Sequence, residues 1–221
     1  MGIKKGFLAG SLVAIVFLIG SWTVLGYGQE HQSITSLWHE LGERFKLSNA
    51  PENKNRVIAR INGEEATLAE FLDRKAILQA KAKSEGKDES QVSNRDAFNL
   101  VVSFKVQVAE AKRRGINVTE EEVDRLIQQQ RTNATNSSVV KVDPDALPAF
   151  LKGLGISEEE YWGKYLRSKY RDSLYLIKLR QIIYNQLPGG SIQDQYKAYD
   201  AFVNQLLNNA RIEILDHSLG L

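Results

Sequence analysis

The feature that most constrains this chain is an uncharged, strongly apolar run near its N-terminus, residues 6–28. The run reads GFLAGSLVAIVFLIGSWTVLGYG and is longer than the roughly 20 residues that a helix needs to cross a membrane. Lys4 and Lys5 precede it and mixed charges follow it, which indicates a cytoplasmic N-terminus. The sequence therefore predicts a single-pass transmembrane signal-anchor at residues 1–28 of a cell-membrane protein, with an extracytoplasmic C-terminal domain.

A cleaved signal peptide is the alternative interpretation of the same run. Such a peptide has a shorter apolar core and an A-x-A-like cleavage site. No A-x-A follows the apolar core here, although Gly20, Ser21 and Gly26 are small residues at which cleavage could occur. Both interpretations place residues 30–221 on the extracytoplasmic side.

Composition places the rest of the chain among ordinary globular proteins. Of the 221 residues, 43% are apolar and 25% are charged, and the roughly 190 residues after the run suffice for one domain with a core. The 29 basic and 27 acidic side chains are mixed along the chain, so no nucleic-acid partner is indicated. The absence of cysteine excludes disulfides, thiolate metal sites, thiol nucleophiles and a lipidated cysteine.

Residues 29–55 are predicted to form a tether between the membrane and the domain. The tether includes a short amphipathic stretch, which either lies on the membrane surface or docks on the domain. Its apolar residues recur at helical spacing and are Ile34, Leu37, Trp38, Leu41 and Phe45. The polar segment 48–55, SNAPENKN, is predicted to be a loop.

A mainly α-helical domain is predicted over residues 56–217, with a strand at each end. Residues 57–61 alternate as a strand does and precede an Asn-Gly dipeptide, which is typical of a hairpin turn. Residues 210–216 alternate in the same way. Because a short isolated strand leaves its backbone hydrogen bonds unpaired, we predict that Ile58–Ile61 pairs with Ile212–Leu215 in a small β clasp.

Helices are predicted between these strands, and three of them begin at a capping box. In this motif a Ser or Thr side chain and an acidic side chain three residues later bind the first free N–H groups of the helix. The boxes begin at Thr67, Thr119 and Ser157. The helices are predicted over about 68–83, 94–114, 120–131, 147–154, 158–186 and 191–209, with a polar loop at 132–138.

The order of these segments resembles a known family. RINGE at 60–64 precedes a capped helix, EAKRRGINVTEEEV at 110–123 and LGISEEEYW at 154–162 follow, and ARIEI at 210–214 closes the domain. This order is similar to that of the N-terminal chaperone domain of the SurA/PrsA/trigger-factor group of extracytoplasmic folding factors, over about residues 56–216. The resemblance implies a helical chaperone domain that binds unfolded or exported polypeptides.

Two features depart from the family pattern. Full-length members carry a parvulin-type prolyl isomerase domain of about a hundred residues between the long helix and the last helix. The corresponding junction here is LPGGS, residues 187–191, so the resemblance does not imply isomerase activity. The Gram-positive relatives are usually lipoproteins, whereas this chain has no cysteine to lipidate.

Catalytic and metal-binding patterns are missing from the sequence. His31, His39 and His217 show no metal-ligand spacing, and there is no P-loop, G-x-S-x-G elbow or G-x-G-x-x-G loop. The acidic triplets at 120–122 and 158–160 lie just inside helix starts, where the helix dipole explains them better than paired catalytic carboxylates do. We therefore predict a non-catalytic protein with no cofactor and no metal.

An aromatic group around the long helix is the candidate binding site for unfolded clients. A chaperone exposes some apolar surface, and this group could line a groove for apolar client segments. Ordinary core packing is the alternative, because apolar helix faces are usually buried. The candidate client-binding residues are Phe150, Leu151, Tyr161, Trp162, Tyr165 and Tyr170.

Three functions are compatible with these patterns. The first is a membrane-anchored extracytoplasmic chaperone-like protein that binds unfolded or exported polypeptides without prolyl isomerase activity. The second is a dedicated protein-interaction module of a cell-envelope complex. The third is a degenerate peptidyl-prolyl isomerase. A concave apolar surface with a flexible rim favours the first function, and a flat self-complementary face favours the second.

Overall fold

The protein, seen in a computed structural model that describes residues 31–135, 143–186 and 190–221, is mainly helical with one small antiparallel sheet. This confirms the predicted mainly α class. The helices are α1 (His31–Ser48), α2 (Pro51–Asn55), α3 (Leu68–Ser84), α4 (Asn94–Arg113), α5 (Glu120–Thr135), α6 (Ala146–Leu154), α7 (Glu158–Glu160), α8 (Arg167–Asn185) and α9 (Ile192–Asn208). The strands are β1 (Val57–Ile61), β2 (Glu64–Thr67) and β3 (Ile212–Ile214).

The sheet joins the first and last segments of the domain, as predicted. Its order is β2-β1-β3, with β1 in the centre and antiparallel to both neighbours. Ala59 pairs with Ile214 and Ile61 pairs with Ile212, which confirms the β clasp. Within the hairpin, Asn62 (φ 53°) and Gly63 (φ 87°) both have positive φ, the conformation that a tight two-residue turn requires.

The predicted capping boxes at Thr67, Thr119 and Ser157 all form. In each box the hydroxyl oxygen accepts from the backbone N–H three residues later, and the acidic side chain there accepts from the N–H of the capping residue. Ser191 and Asp194 form a fourth box at the start of α9. These boxes fix helix starts through contacts within one turn, so the sequence alone suffices to predict them.

Three predicted segments differ in the structure. The predicted loop 48–55 contains the short helix α2, because Pro51 at its first position is compatible with a helix start. Residues 132–135 of the predicted loop 132–138 belong to α5, which continues to Thr135. The predicted helix 158–186 is interrupted by a π turn at Tyr161–Tyr165, where the Leu166 N–H donates to the Tyr161 carbonyl oxygen.

The main core lies between α1, α3, α5, α6 and the segment from α7 to the start of α8. Burial of one large apolar side chain stabilises a fold by about 1.5–3 kcal/mol relative to exposure, so the aromatic members of this core are a major source of stability. These buried aromatic side chains are Trp38, Phe45, Phe150, Tyr161, Trp162 and Tyr170.

Helix α1, which falls within the predicted tether at residues 29–55, belongs to this core. The sequence left open whether the amphipathic stretch docks on the domain, and in the structure it packs along α6. Leu37, Trp38, Leu41 and Phe45 are buried by this contact. The globular domain therefore starts upstream of residue 56.

Two glycines bring the backbones of α1 and α6 into direct contact. A Cβ atom at Gly42 would lie 2.2 Å from the Phe150 carbonyl oxygen, and one at Gly153 would lie 2.1 Å from the His39 carbonyl oxygen. Both neighbours are backbone atoms, which no rotamer change can move away. Only glycine therefore allows this helix crossing without a shift of the backbone.

A second core, the sheet core, packs α3 and α4 against the sheet. Ile58 and Ile61 of β1 are buried there with Phe71 of α3. The C-terminal segment closes over this core, where the Asn94 side chain donates to the Leu219 carbonyl oxygen at 2.7 Å. Long-range contacts of this kind hold the two ends of the domain together.

Helices α8 and α9 pack against each other as a helical hairpin whose connection is residues 186–191. Ile183 on α8 and Tyr199 and Val203 on α9 are buried in this contact. The hairpin has its own small apolar cluster, separate from the main core and the sheet core.

Candidate functional site

The structure places the predicted client-binding residues in the main core. Five of the six are almost completely covered, and Tyr165 is half-buried. The exposed fractions of the five are 2% for Phe150, 9% for Leu151, 1% for Tyr161, 3% for Trp162 and 3% for Tyr170. Their burial leaves no exposed apolar groove at this position, although Tyr161, Tyr165 and Tyr170 contribute to the wall of a cavity between α1, α3, α4 and the start of α8.

Packing against α1 explains why this aromatic group is covered. The rings of Phe45 and Phe150 meet edge to face with centroids 5.8 Å apart, and Phe150 meets Tyr161 at the same distance. The Trp162 indole N–H donates to Glu158 at 3.1 Å. Burial raises the pKa of the Tyr161 and Tyr170 hydroxyls, so both stay neutral. The group therefore has a structural role.

An apolar stripe on α9, unlike this aromatic group, is only partly buried. Ile192, Tyr196, Tyr199 and Val203 follow at spacings of four, three and four residues, which places them on one helix face. The exposed fractions along this stripe are 61%, 50%, 5% and 8%. The stripe is thus covered in its C-terminal half and open in its N-terminal half.

The open half of the stripe lies at the end of the hairpin that carries the connection between its helices. Tyr184 of α8 meets Tyr196 and Tyr199 edge to face, with ring centroids 6.1 Å apart in both pairs. The Tyr184 hydroxyl oxygen is buried without a hydrogen-bond partner among the described residues. We refer to Tyr184, Ile192 and Tyr196 as the hairpin tip.

The base of the hairpin is held on α4 by a buried polar contact. The Tyr199 hydroxyl donates to Gln107 Oε1 at 2.6 Å, and Gln107 Nε2 donates to the Ser103 carbonyl oxygen at 2.8 Å. The Arg180 guanidinium lies 4.7 Å from the centre of the Tyr199 ring. The hairpin therefore has a fixed base and an uncovered apolar tip.

The apolar period of the last two long helices predicts more burial than the structure shows. The spacing of Tyr196 and Tyr199 in the last helix predicts that both point inward, but Tyr196 is 50% exposed. The apolar period of the long helix likewise predicts that Ile177 and Ile182 are buried, but they are 41% and 37% exposed. The helical period identifies the apolar face of a helix, but it does not indicate how much of that face a neighbouring helix covers.

Metal and membrane features are assessed only for the part of the chain that the structure describes. Within residues 31–135, 143–186 and 190–221, no group of three or more His, Cys, Asp or Glu side chains could hold a metal ion. Over the same residues, no helix is both long enough and apolar enough to span a membrane. The predicted anchor at residues 1–28 lies outside the described residues.

Comparison with known proteins yields a partial relative. The chain is 30% identical over 98 residues to the glutamate-rich protein GrpA of Alkalihalophilus pseudofirmus, an alignment that covers 43% of this chain and 62% of that protein. The chain thus spans less than two thirds of the length of this relative. No family model matches the chain. No solved structure matches it either.

Proposed function

We propose that this chain is a membrane-anchored extracytoplasmic chaperone-like protein that binds unfolded or exported polypeptides at the hairpin tip. The observation that carries the proposal is the α9 stripe, which continues beyond the cover of α8 and leaves Ile192 and Tyr196 at the surface. An unfolded client exposes apolar side chains, and each Å² of apolar surface buried on contact contributes about 25 cal/mol. An apolar surface of this kind can bind apolar client segments whatever their exact sequence.

The arrangement of the domain supports a relationship to the SurA/PrsA/trigger-factor group. The β clasp joins the first and last segments of a helical domain, and the capped helices follow in the order on which the resemblance rests. We propose on this basis that residues 56–216 are a chaperone domain of that group, extended upstream by α1.

The connection of the hairpin supports the absence of isomerase activity. In the family the isomerase domain lies between the two helices that correspond to α8 and α9, and here residues 186–191 join them. We propose that the chain has no prolyl isomerase activity. The test is a prolyl-peptide isomerisation assay on the full chain, in which catalysis above the background rate would contradict the proposal and favour a degenerate isomerase.

The apolar run at residues 6–28 supports membrane attachment. We propose that it remains as an uncleaved anchor with the domain on the extracytoplasmic side. Alkaline extraction of membranes, combined with N-terminal sequencing of the mature chain, tests whether the run anchors the chain and whether it is cleaved. Retention of the chain in the membrane with an intact N-terminus agrees with the anchor, whereas a free chain that begins after the run contradicts it.

The client-binding proposal is tested by suppression of aggregation. The full chain in lipid nanodiscs is added at stoichiometric ratios to a model client that refolds from denaturant, and light scattering is recorded. We expect suppression by the natural chain and a clear loss of suppression in the double variant Ile192→Ser, Tyr196→Ser. Equal suppression of aggregation by both proteins would show that clients do not bind at the hairpin tip.

Leu47 offers a matched control for this assay. It is 68% exposed and lies on α1, outside the hairpin tip, so Leu47→Ser removes a similar exposed apolar side chain elsewhere. We expect Leu47→Ser to suppress aggregation like the natural chain. No suppression by the natural chain, together with one co-purifying partner, would favour the dedicated interaction module of an envelope complex.

A further inference from the structure

A cavity of about 540 Å³ lies between α1, α3, α4 and the start of α8, beside the π turn. Its volume is within the range of small-molecule sites, roughly 300–1,000 Å³. It shares no residue with the hairpin tip, so ligand binding in this cavity is independent of the proposed function. Its wall carries several charged side chains, whose partners decide what the cavity can bind.

Two of the acidic side chains in the wall are already paired. Asp73 accepts from Lys169 Nζ at 2.6 Å and also from the Ser48 hydroxyl. Glu70 and Lys105 form an ion pair with a separation of 2.7 Å. Each of these two carboxylates therefore already has a lysine partner.

Arg74 is the buried basic side chain of this wall, whereas Lys54 and Lys164 also line the cavity but are exposed. It is 9% exposed, and its guanidinium forms no hydrogen bond or ion pair with any residue that the structure describes. Its contact is with the Phe104 ring, whose centre lies 4.6 Å from Cζ. Guanidinium has five N–H donors, and those of Arg74 meet no protein acceptor at the wall of the cavity. An acceptor that entered the cavity could receive hydrogen bonds from them.

The charge of Arg74 persists at neutral pH. Burial lowers the pKa of Arg74 to about 10, while the neighbouring carboxylates Asp73, Glu70 and Asp172 act in the opposite direction. A pKa of about 10 still leaves the guanidinium protonated at pH 7. The cavity therefore presents a permanent cation with free donors.

Asp172 lies in the wall of the same cavity and is also unpaired. Among residues 31–135, 143–186 and 190–221 it has no hydrogen-bond partner and no ion-pair partner, although Arg74 is close enough to act on it electrostatically. Burial raises the pKa of the Asp172 carboxyl. Two opposite charges thus line one cavity without making contact.

We propose that this cavity binds a carboxylate ligand that also carries an N–H donor, with the carboxylate on Arg74 and the N–H group on Asp172. A free α-amino acid and the C-terminal residue of a polypeptide share this chemistry. The planar carboxylate matches the guanidinium fork and accepts two parallel hydrogen bonds. The N–H group supplies the donor that Asp172 lacks.

The same wall disfavours more highly charged anions. The wall carries four acidic side chains and four basic ones, so it offers a phosphate dianion no excess of positive charge; they are Glu70, Asp73, Glu160 and Asp172, and Lys54, Arg74, Lys164 and Lys169. A carboxylate carries a single charge and meets less repulsion. Inorganic phosphate is therefore a discriminating probe.

The test measures the thermal unfolding midpoint (Tm) of the full chain in lipid nanodiscs with added alanine, N-acetylalanine, N-acetylalanine amide or sodium phosphate at equal ionic strength. We expect a saturable rise in Tm with at least one of the two carboxylates and none with the amide or phosphate. A rise with N-acetylalanine alone identifies a polypeptide C-terminus as the source. A rise with alanine identifies a free amino acid. No saturable rise with either carboxylate, or an equal rise with phosphate, overturns the proposal.

Variants assign the response to Arg74. We expect Arg74→Met to abolish the rise in Tm while leaving the unliganded Tm unchanged or higher, because it removes an unpaired buried charge. Arg74→Lys keeps the charge but loses the two parallel N–H donors of the guanidinium, and we expect at least about tenfold weaker binding of the carboxylate. Arg167→Met is the matched control, since Arg167 pairs with Glu120 and Asp124 and is not in the wall of the cavity, and it should respond like the natural chain.

A measurement on the unaltered chain covers the case in which the Arg74 variants do not fold. Saturation-transfer NMR on the natural chain detects contact with N-acetylalanine or alanine directly, and titration with unlabelled carboxylate should displace the signal. A response that Arg74→Met retains in full, or the absence of any transfer to both carboxylates, contradicts the proposed site.

Discussion

The main core and the hairpin tip contain the same kinds of apolar side chain but differ in how far these side chains are buried. Phe150 and Tyr161 lie on helix faces that α1 covers, and both are at most 2% exposed. Ile192 and Tyr196 lie on an equally regular apolar face of α9, and at least half of each side chain is exposed. Periodicity predicts an apolar face in both regions, and the presence of a partner element decides whether that face becomes core or surface.

The close approach of α1 and α6 is the reason that the main core is covered. Gly42 and Gly153 let the two backbones touch, and this brings Phe45 against Phe150. The hairpin has no third helix at its tip among the described residues. Substitutions in the two regions should therefore differ in their effect on stability, most of all where packed rings are removed.

The largest expected effect is on the main core. Phe150→Ala should lower the free energy of unfolding by about 3–5 kcal/mol, because it leaves a cavity among packed rings. Tyr196→Ala removes a ring of similar size from the tip and should change stability by about 0.5 kcal/mol or less. Urea denaturation of both variants measures the difference. Equal losses would show that the tip is covered in solution.

Substitution at the crossing of α1 and α6 should lower stability nearly as much as substitution in the main core. Gly153→Ala places a methyl group against the His39 carbonyl oxygen and should destabilise the fold by about 1–3 kcal/mol or more, since the backbones must separate. Gly163→Ala is the control, because no atom lies within 4 Å of a Cβ at that position. Guanidinium denaturation measures both variants. A Gly153→Ala protein as stable as the Gly163→Ala protein would refute the close crossing.

The base of the hairpin should show an intermediate effect. Tyr199→Phe removes the donor to Gln107 Oε1 and leaves that buried oxygen unpaired, which should cost about 1–3 kcal/mol. Tyr196→Phe makes the same chemical change at the exposed tip and should have almost no effect. Thermal unfolding of the two variants distinguishes base from tip, and similar Tm values would argue against a fixed base.

The smallest expected effect is the response to acid near the hairpin base. Hydrogen bonds from Arg113 and then Arg114 lower the pKa of Glu110 to about 2, and Arg114 in turn lies over the Phe202 ring of α9. The folded-state pKa is below the unfolded value of about 4.5, so this contribution is present above pH 4.5 and is lost as the pH falls to about 2.

Glu110→Gln tests this acid response. Because both arginines reach solvent, the variant should be less stable than the natural chain by less than about 1 kcal/mol at pH 6, and this difference should vanish near pH 2. Chemical denaturation at several pH values measures it. A difference that stays constant between pH 6 and pH 2 would contradict the assigned pKa. Phe150→Ala should show such a constant difference, because no titrating group is removed.

Local signals in the sequence sufficed for a large part of the fold. The capping boxes at Thr67, Thr119 and Ser157 and the positive-φ turn at Asn62-Gly63 act within a few residues, so they form wherever the chain carries them. The β clasp followed from a simple physical requirement, since the last strand could pair only with the strand at the start of the domain or with its hairpin partner.

The tertiary structure decided the features that depend on distant residues. The docking of α1, the π turn at Tyr161–Tyr165 and the burial of the predicted client site depend on how whole helix faces meet. The partnerless Arg74 also depends on this, because the charges around it come from α3 and α8.

Local sequence signals fix where helices begin, where the chain turns and which residues belong to apolar faces. The sequence also carries the predicted anchor at residues 6–28. Which apolar faces are covered and which stay open was decided by packing, because the same side chain at the same spacing is core under a partner helix and surface beyond its end. Tyr199 and Tyr196, one turn apart on α9 with exposed fractions of 5% and 50%, show this within a single helix.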